Sequence, residues 1–215
     1  MSLENYLFLN IGIAALTAIM WIIESVYFQV CLKVHEKKGH VNLGLGGMML
    51  LSFRHADFGH YFDNIVAFAI FTLAVPNVQV TVFAWILGML MPQLWRYYKH
   101  EAAVTNVAKA RPKTWLGWLL PSLYDHWYMP RFIASVGISG GVSAVHGVAT
   151  VASSINIWQA ELAGVLGYLV MLFLTSFALY SDIKGYLYPK TNTDHKAHLI
   201  GLAIGHAIGL VYYFS

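Results

Sequence analysis

The stretch that decides the fold is GISGGVSAVHG, residues 137–147, which opens a long apolar run. It places Ser139 among closely spaced glycines and His146 seven residues further on. Seven residues make about two turns of an α-helix, so both polar side chains share one face. Polar groups are expensive inside a membrane and usually face a bundle interior or a wet cavity. If the chain enters a membrane, this stretch predicts a helix whose polar face is turned toward other helices.

Composition indicates that the chain does enter a membrane. Of its 215 residues, 58% are hydrophobic and only 11% are charged, with a mean hydropathy of +0.59. Soluble domains carry about 25% charged residues, so we expect an integral, multi-pass protein of a cell or organellar membrane. The net charge of +3 argues against nucleic acid as a partner. The single cysteine, Cys31, excludes an intramolecular disulfide and a cysteine-based metal site.

The apolar runs predict an all-α, six-helix bundle that forms one domain over residues 1–215. A spanning helix needs about 20 mostly apolar residues. We place the six spans at 6–32, 60–74, 78–95, 132–151, 155–180 and 195–214. Tight turns are expected at Val75-Pro76-Asn77 and at Ser153-Ser154. The segment TWLGWLLPSLY, residues 114–124, is too short to span and is expected to lie in the membrane interface.

Four polar side chains fall at a similar shallow depth in these predicted spans. Ser139 lies eight residues into the fourth span, about 12 Å at 1.5 Å per residue, and His198 lies about 6 Å into the sixth. His60 and Asn64 open the second span, one helical turn apart and therefore on one face. All three spans start from the side that carries the long connections. We therefore expect these side chains to converge in one layer.

Small residues predict that two of the helices approach each other closely. Gly201, Gly205 and Gly209 recur every four residues on the sixth span, and the fourth span is also rich in glycine. Such small-xxx-small spacing lets helix backbones come near. A hydrogen bond between Ser139 and His198 would need that approach, since its heavy atoms must come within about 2.6–3.2 Å.

Three separated motifs resemble those of the rhomboid family of intramembrane serine proteases. They are HADFGHYFDN at residues 55–64, GISGGVSAVHG at 137–147 and DHKAHLIGLAIG at 194–205. They contain the family's H-x-x-x-N, G-x-S-G and A-H-x-x-G-x-x-x-G patterns, in the family's order. Together with the six predicted spans, the resemblance covers nearly the whole chain.

The resemblance implies a role for each matched residue. Ser139 would be the nucleophile and His198 the general base of a dyad that needs no third carboxylate. His60 and Asn64 would receive the oxyanion together with the Ser139 backbone N–H, with Gly137 beside them in the oxyanion and substrate-binding region. The implied reaction is peptide-bond hydrolysis in or near the transmembrane helix of a single-span substrate, within the lipid bilayer. It implies no metal and no organic cofactor.

The sequence departs from the family pattern and leaves other functions open. Ser143 stands where the family usually has an aromatic residue under the catalytic histidine, and the Trp-Arg pair of the first long loop is replaced by GLGGMMLLSFRH at residues 44–55. One alternative is a non-catalytic rhomboid-like protein that binds transmembrane helices. Another is a small transporter or channel that uses the deep histidines His146 and His206. We expect that pair instead to make a structural contact between the fourth and sixth helices, and His195 to be solvated.

The distribution of basic residues predicts an orientation. All 13 lysines and arginines fall on the side of the three long connections. The positive-inside rule places those connections in the cytoplasm or in the equivalent organellar compartment. The site would then open to that side, whereas bacterial rhomboids of this form usually open outward.

Overall fold

The computed structural model describes residues 1–38, 44–53, 55, 58–75, 77–98, 138–156, 162–187 and 195–215. Within these ranges the chain is helical and contains no strand, which confirms the all-α prediction. The described helices are α1 Leu3–Lys38, α2 Leu45–Leu51, α3 Phe58–Ala74, α4 Val78–Tyr98, α5 Ser139–Asn156, α6 Leu162–Leu187 and α7 His195–Phe214.

Four of these helices are long and apolar enough to cross a membrane. The candidate spans are Leu3–Cys31, Val78–Tyr98, Val165–Leu187 and His195–Phe214. At 17 residues, α3 is a shorter apolar helix, and α5 is not among the four. A membrane protein is therefore supported, whereas six crossings remain part of the proposal below.

The described side chains are distributed as in a protein surrounded by lipid. Large apolar side chains face outward on α1 and α6, where Phe8 is 83% exposed and Phe173 69% exposed. Polar side chains such as Thr17, Glu24 and Thr81 are fully buried. Water would favour the reverse arrangement, because exposing large apolar groups and burying polar ones both cost free energy there.

The chain divides into two compact units. The first comprises Met1–Ile11, Val66–Pro92 and Ser139–Ser215, and the second comprises Gly12–Ile65 and Gln93–Ile138. The prediction of a single domain over residues 1–215 stays a prediction.

In the first unit, α5 packs mainly against α7, and α6 contacts both. The start of α1 is tied to α3, because the Tyr6 hydroxyl donates to the Ala69 carbonyl at 3.1 Å and the Asn10 amide donates to Thr72 Oγ1 at 3.2 Å. On α4, a Cβ added to Gly88 would lie 2.6 Å from the carbonyl oxygen of Gly140 in α5. Small residues therefore set the spacing of helices in this unit.

In the second unit, an aromatic cluster joins α1 to the start of α3. The ring centroids of Trp21 and Tyr61 lie 5.4 Å apart, and His55 packs against both at 5.1 and 5.2 Å. The Tyr61 hydroxyl also donates to the Ala14 carbonyl at 2.7 Å. These contacts hold the first turn of α3, which includes His60, against α1.

The structure corrects several predicted boundaries. The break between α3 and α4 is confirmed, and the Asn77 side chain caps α4 by accepting from the Gln79 N–H at 2.8 Å. The predicted turn at Ser153-Ser154 is wrong, because α5 continues to Asn156. The predicted start of the next span at residue 155 is wrong for the same reason, and that helix extends to Leu187. The predicted interfacial segment at 114–124 lies outside the described residues.

Candidate active site

Ser139 is the first residue of α5, because Ile138 stands in a turn immediately before it. The predicted start of this helix at residue 132 is therefore wrong, and the depth derived from it no longer applies. The side chain is buried, with 5% exposure, and Oγ makes no hydrogen bond to any residue that the structure describes. The first four N–H groups of a helix have no acceptor within it. A buried hydroxyl thus stands beside backbone donors that carry the positive end of the helix dipole.

The predicted close approach of two helices is confirmed between α5 and α7. A Cβ added to Gly201 would collide with the carbonyl oxygen of Gly140, and one added to Gly205 would collide with that of Ala144. Further along, a Cβ on Gly209 would lie 2.9 Å from Val151 Cβ. Backbone meets backbone at two positions one turn apart, Gly201 and Gly205, where only glycine leaves room on the α7 side.

This packing brings together the turns that carry the two predicted catalytic residues. A Cβ on Gly140 would lie 3.6 Å from the carbonyl oxygen of Ala197. Ser139 directly precedes Gly140, and His198 directly follows Ala197. The predicted hydrogen bond between Ser139 and His198 is not formed, since Ser139 Oγ bonds to none of the described residues.

His198 contacts a carboxylate that is not among the predicted site residues. Its Nδ1 lies 2.9 Å from Oδ1 of Asp182, near the end of α6. The expectation that no carboxylate accompanies the histidine is therefore wrong for this chain. An ionised carboxylate only accepts hydrogen bonds, so Nδ1 carries the hydrogen and the lone pair of a neutral ring lies on Nε2.

A second histidine binds the same carboxylate oxygen. His195 Nδ1 lies 3.0 Å from Asp182 Oδ1, and its side chain is 14% exposed. The prediction that His195 is simply solvated is wrong. The sequence carried one signal for it, because His195 and His198 stand three residues apart at the start of a helix and therefore share a face. Nothing local pointed to Asp182, which comes from another helix.

The predicted oxyanion residues belong to the second unit. The Asn64 amide is 7% exposed, and its Nδ2 lies 3.3 Å from His60 Nε2 and 2.9 Å from the His60 carbonyl oxygen. The prediction that these two side chains share one face of their helix is confirmed. Gly137, the third predicted residue, lies outside the described residues.

Comparisons of the chain with protein-family models, with curated proteins and with solved structures find no match.

His146 of α5 contacts side chains of two other helices. His146 Nε2 lies 2.6 Å from Thr175 Oγ1 on α6, and its ring stacks on Phe71 of α3 with centroids 3.9 Å apart. His206 of α7 directs its Nδ1 to the Leu202 carbonyl of its own helix at 2.8 Å. We expected His146 to make a structural contact with the sixth predicted span, which is α7. Its hydrogen bond instead joins it to α6, which corresponds to the fifth predicted span.

Proposed function

We propose that the protein is an intramembrane serine peptidase of the rhomboid type, with six membrane crossings. Ser139 acts as the nucleophile and His198 as the general base. The observation that carries the proposal is the hydrogen bond from His198 Nδ1 to Asp182 at 2.9 Å, in a helical turn that lies against the turn of Ser139. An orienting carboxylate, a histidine and a buried serine are the elements of nucleophilic acyl transfer.

The reaction follows from these groups. The Nε2 atom of His198 takes the proton of Ser139 Oγ while the oxygen attacks the carbonyl carbon of the substrate. The tetrahedral intermediate collapses as His198 returns the proton to the leaving amine, which leaves an acyl-enzyme on Ser139. Water, deprotonated by the same Nε2, then hydrolyses the ester and restores the serine. Asp182 stabilises the imidazolium formed in each half-reaction and keeps the ring in its tautomer.

Stabilisation of the oxyanion has two proposed sources. The N–H groups in the first turn of α5 include that of Ser139 itself; they have no acceptor within the helix and carry partial positive charge. His60 and Asn64 are the further donors that the rhomboid resemblance implies, and this part of the proposal rests on the sequence motif alone. Each donor of this kind contributes about 10²–10³ in rate. The apolar helices that present the site favour substrates within the membrane, and the rhomboid resemblance implies single-span membrane proteins.

The test is cleavage of a panel of single-span substrates by the purified protein in liposomes. We expect cleavage by the wild type, loss of cleavage in Ser139→Ala and in His198→Ala, and labelling of Ser139 by a fluorophosphonate. A matched control is Ser153→Ala, because Ser153 is also buried on α5 with an Oγ that bonds to none of the described residues. That variant should cleave normally. Equal cleavage by the wild type and Ser139→Ala would overturn the mechanism, and absence of cleavage and labelling in the wild type would favour the non-catalytic alternative.

A further inference from the structure

Asp182 accepts from two histidines through one oxygen, and the proposed reaction accounts for only one of them. His198 Nδ1 lies 2.9 Å and His195 Nδ1 3.0 Å from Asp182 Oδ1. The contact to His198 orients the general base. The contact to His195 takes no part in the proposed proton transfer. A second imidazole on the same oxygen therefore calls for its own explanation.

The three side chains have the composition and spacing of a transition-metal site. The ligand atoms, one from each of Asp182, His195 and His198, all lie within 4.8 Å of one another. Two ligands bonded to one metal at about 2.1 Å are about 3.0 Å apart in octahedral and about 3.4 Å apart in tetrahedral geometry. The two distances to Asp182 Oδ1 are ordinary hydrogen-bond lengths, and they lie near the octahedral value, so a metal could replace the two shared hydrogens with little movement of the ligand atoms. Imidazole and carboxylate together suit Zn²⁺ and its neighbours in the first transition series.

The end of α6 and the start of α7 place His195 beside Asp182. His195 and His198 stand one turn apart in the first turn of α7, and Asp182 stands in the last two turns of α6. Gly185, three residues after Asp182 and so on the same face of α6, provides the space, because a Cβ at this position would collide with the His195 ring. The three side chains are 14–16% exposed, so a hydrated ion has a path to them.

We propose that Asp182, His195 and His198 bind a divalent transition metal of the zinc class, with the remaining coordination positions open to water. The effect of the bound metal on catalysis rests on the proposed peptidase function. A metal on Nδ1 of neutral His198 leaves the ring hydrogen on Nε2. That nitrogen then has no lone pair for the Ser139 proton, so the bound metal is a reversible inhibitor of the peptidase.

Direct binding to the full-length chain is measured first, independently of activity. The Ser139→Ala protein, purified without a polyhistidine tag and stripped with EDTA, is equilibrated with ZnCl2 by dialysis and separately with CoCl2 in a spectrophotometer. We expect one equivalent of zinc per chain and a visible Co²⁺ absorption that zinc abolishes. His195→Gln should weaken zinc binding about tenfold or more, as loss of metal-site groups does. No zinc binding in Ser139→Ala, or equal binding in His195→Gln, would overturn the site whatever the protein's activity.

A substitution that fills the space at Gly185 distinguishes loss of the metal site from general damage to the helix. Gly185→Ala should weaken zinc binding by displacing the His195 ring, whereas Gly167→Ala on the same helix should not, because a Cβ at Gly167 meets no atom within 4 Å among the described residues. Circular dichroism verifies that both variants keep their helical content. Equal zinc affinity in the two variants would contradict the site.

The inhibition is then measured on the cleavage of a single-span substrate by the wild type. Zinc should inhibit at the concentration at which it binds, EDTA should reverse the inhibition, and His195→Gln should need about tenfold more zinc or more for the same fractional inhibition. Zinc binding without inhibition of an active peptidase would overturn the competition for His198. Zinc binding to a chain that cleaves nothing would leave the metal site standing and remove the proposed peptidase function.

Discussion

His198 Nδ1 lies 2.9 Å from Asp182 Oδ1, and the two residues stand on different helices whose ends meet. A carboxylate in this position holds an imidazole in one tautomer and stabilises its protonated form. The proposed peptidase thus has an orienting group, whereas the rhomboid resemblance implied a dyad without a carboxylate.

Replacing this carboxylate by an amide should slow the reaction without weakening substrate binding. In Asp182→Asn, the side chain no longer carries charge to stabilise the imidazolium and no longer enforces the tautomer with a lone pair on Nε2. We expect kcat for cleavage of a single-span substrate to fall about 10²- to 10⁴-fold, with KM little changed. Asp182→Glu should recover part of the loss. An unchanged kcat in Asp182→Asn would show that the contact is structural only.

Filling the contact between α5 and α7 should destabilise the protein. A methyl group at Gly201 collides with the backbone of Gly140, which does not move without shifting α5. We expect Gly201→Ala to lower the free energy of unfolding by about 1–3 kcal/mol. The control is Gly167→Ala, whose added methyl meets no atom within 4 Å in the described part of the chain. Denaturation in detergent micelles, followed by circular dichroism, measures both, and equal stabilities would contradict the packing.

The features that sequence analysis found correctly are those with a local signal. A long apolar run ended by Val75-Pro76-Asn77 defined the boundary of α3 and α4, and the four-residue spacing of glycines at Gly201 and Gly205 indicated close packing. The predicted turn at Ser153-Ser154 failed because the Ser154 hydroxyl donates to the Thr150 carbonyl of its own helix at 2.8 Å. Serines that bond in this way are tolerated inside membrane helices.

The Asp182 contacts had no such signal. They join residues 13 and 16 positions apart across the connection between two helices. Neither the apolar periodicity of α6 nor that of α7 specifies which of their polar ends will meet. The pairing of Asp182 with His195 and His198 became evident only from the register of α6 against α7.

Removing the partner of the deep histidine should affect stability and leave catalysis intact. Thr175→Val deletes the hydroxyl that lies 2.6 Å from His146 Nε2 and leaves this buried nitrogen without its partner among the described residues. This should cost about 1–3 kcal/mol of stability, measured by denaturation in micelles. Ser176→Ala is the matched control, because that hydroxyl is exposed and bonds only to the Leu172 carbonyl of its own helix among the described residues. Proton flux into liposomes that Thr175→Val abolishes would instead favour the transporter alternative.

The ends of α6 and α7, together with the basic residues, predict the side of the membrane to which the site opens. The end of α6 adjoins the start of α7 at Asp182 and His195, so the 20 residues of α7, about 30 Å long, carry the chain to the opposite side at Ser215. Since the 13 basic residues are predicted on the side of Asp182, the positive-inside rule places that side in the cytoplasm and Ser215 outside.

Single cysteines in a Cys31→Ser background test this orientation without changing the charge. Tyr186 at the end of α6 is 55% exposed, and Ser215 is exposed at the other end of α7. In intact cells, a membrane-impermeant maleimide should label Ser215→Cys and spare Tyr186→Cys, and permeabilised cells should show labelling of both. Labelling of Tyr186→Cys alone in intact cells would show that the outward orientation usual for bacterial rhomboids outweighs the charge bias.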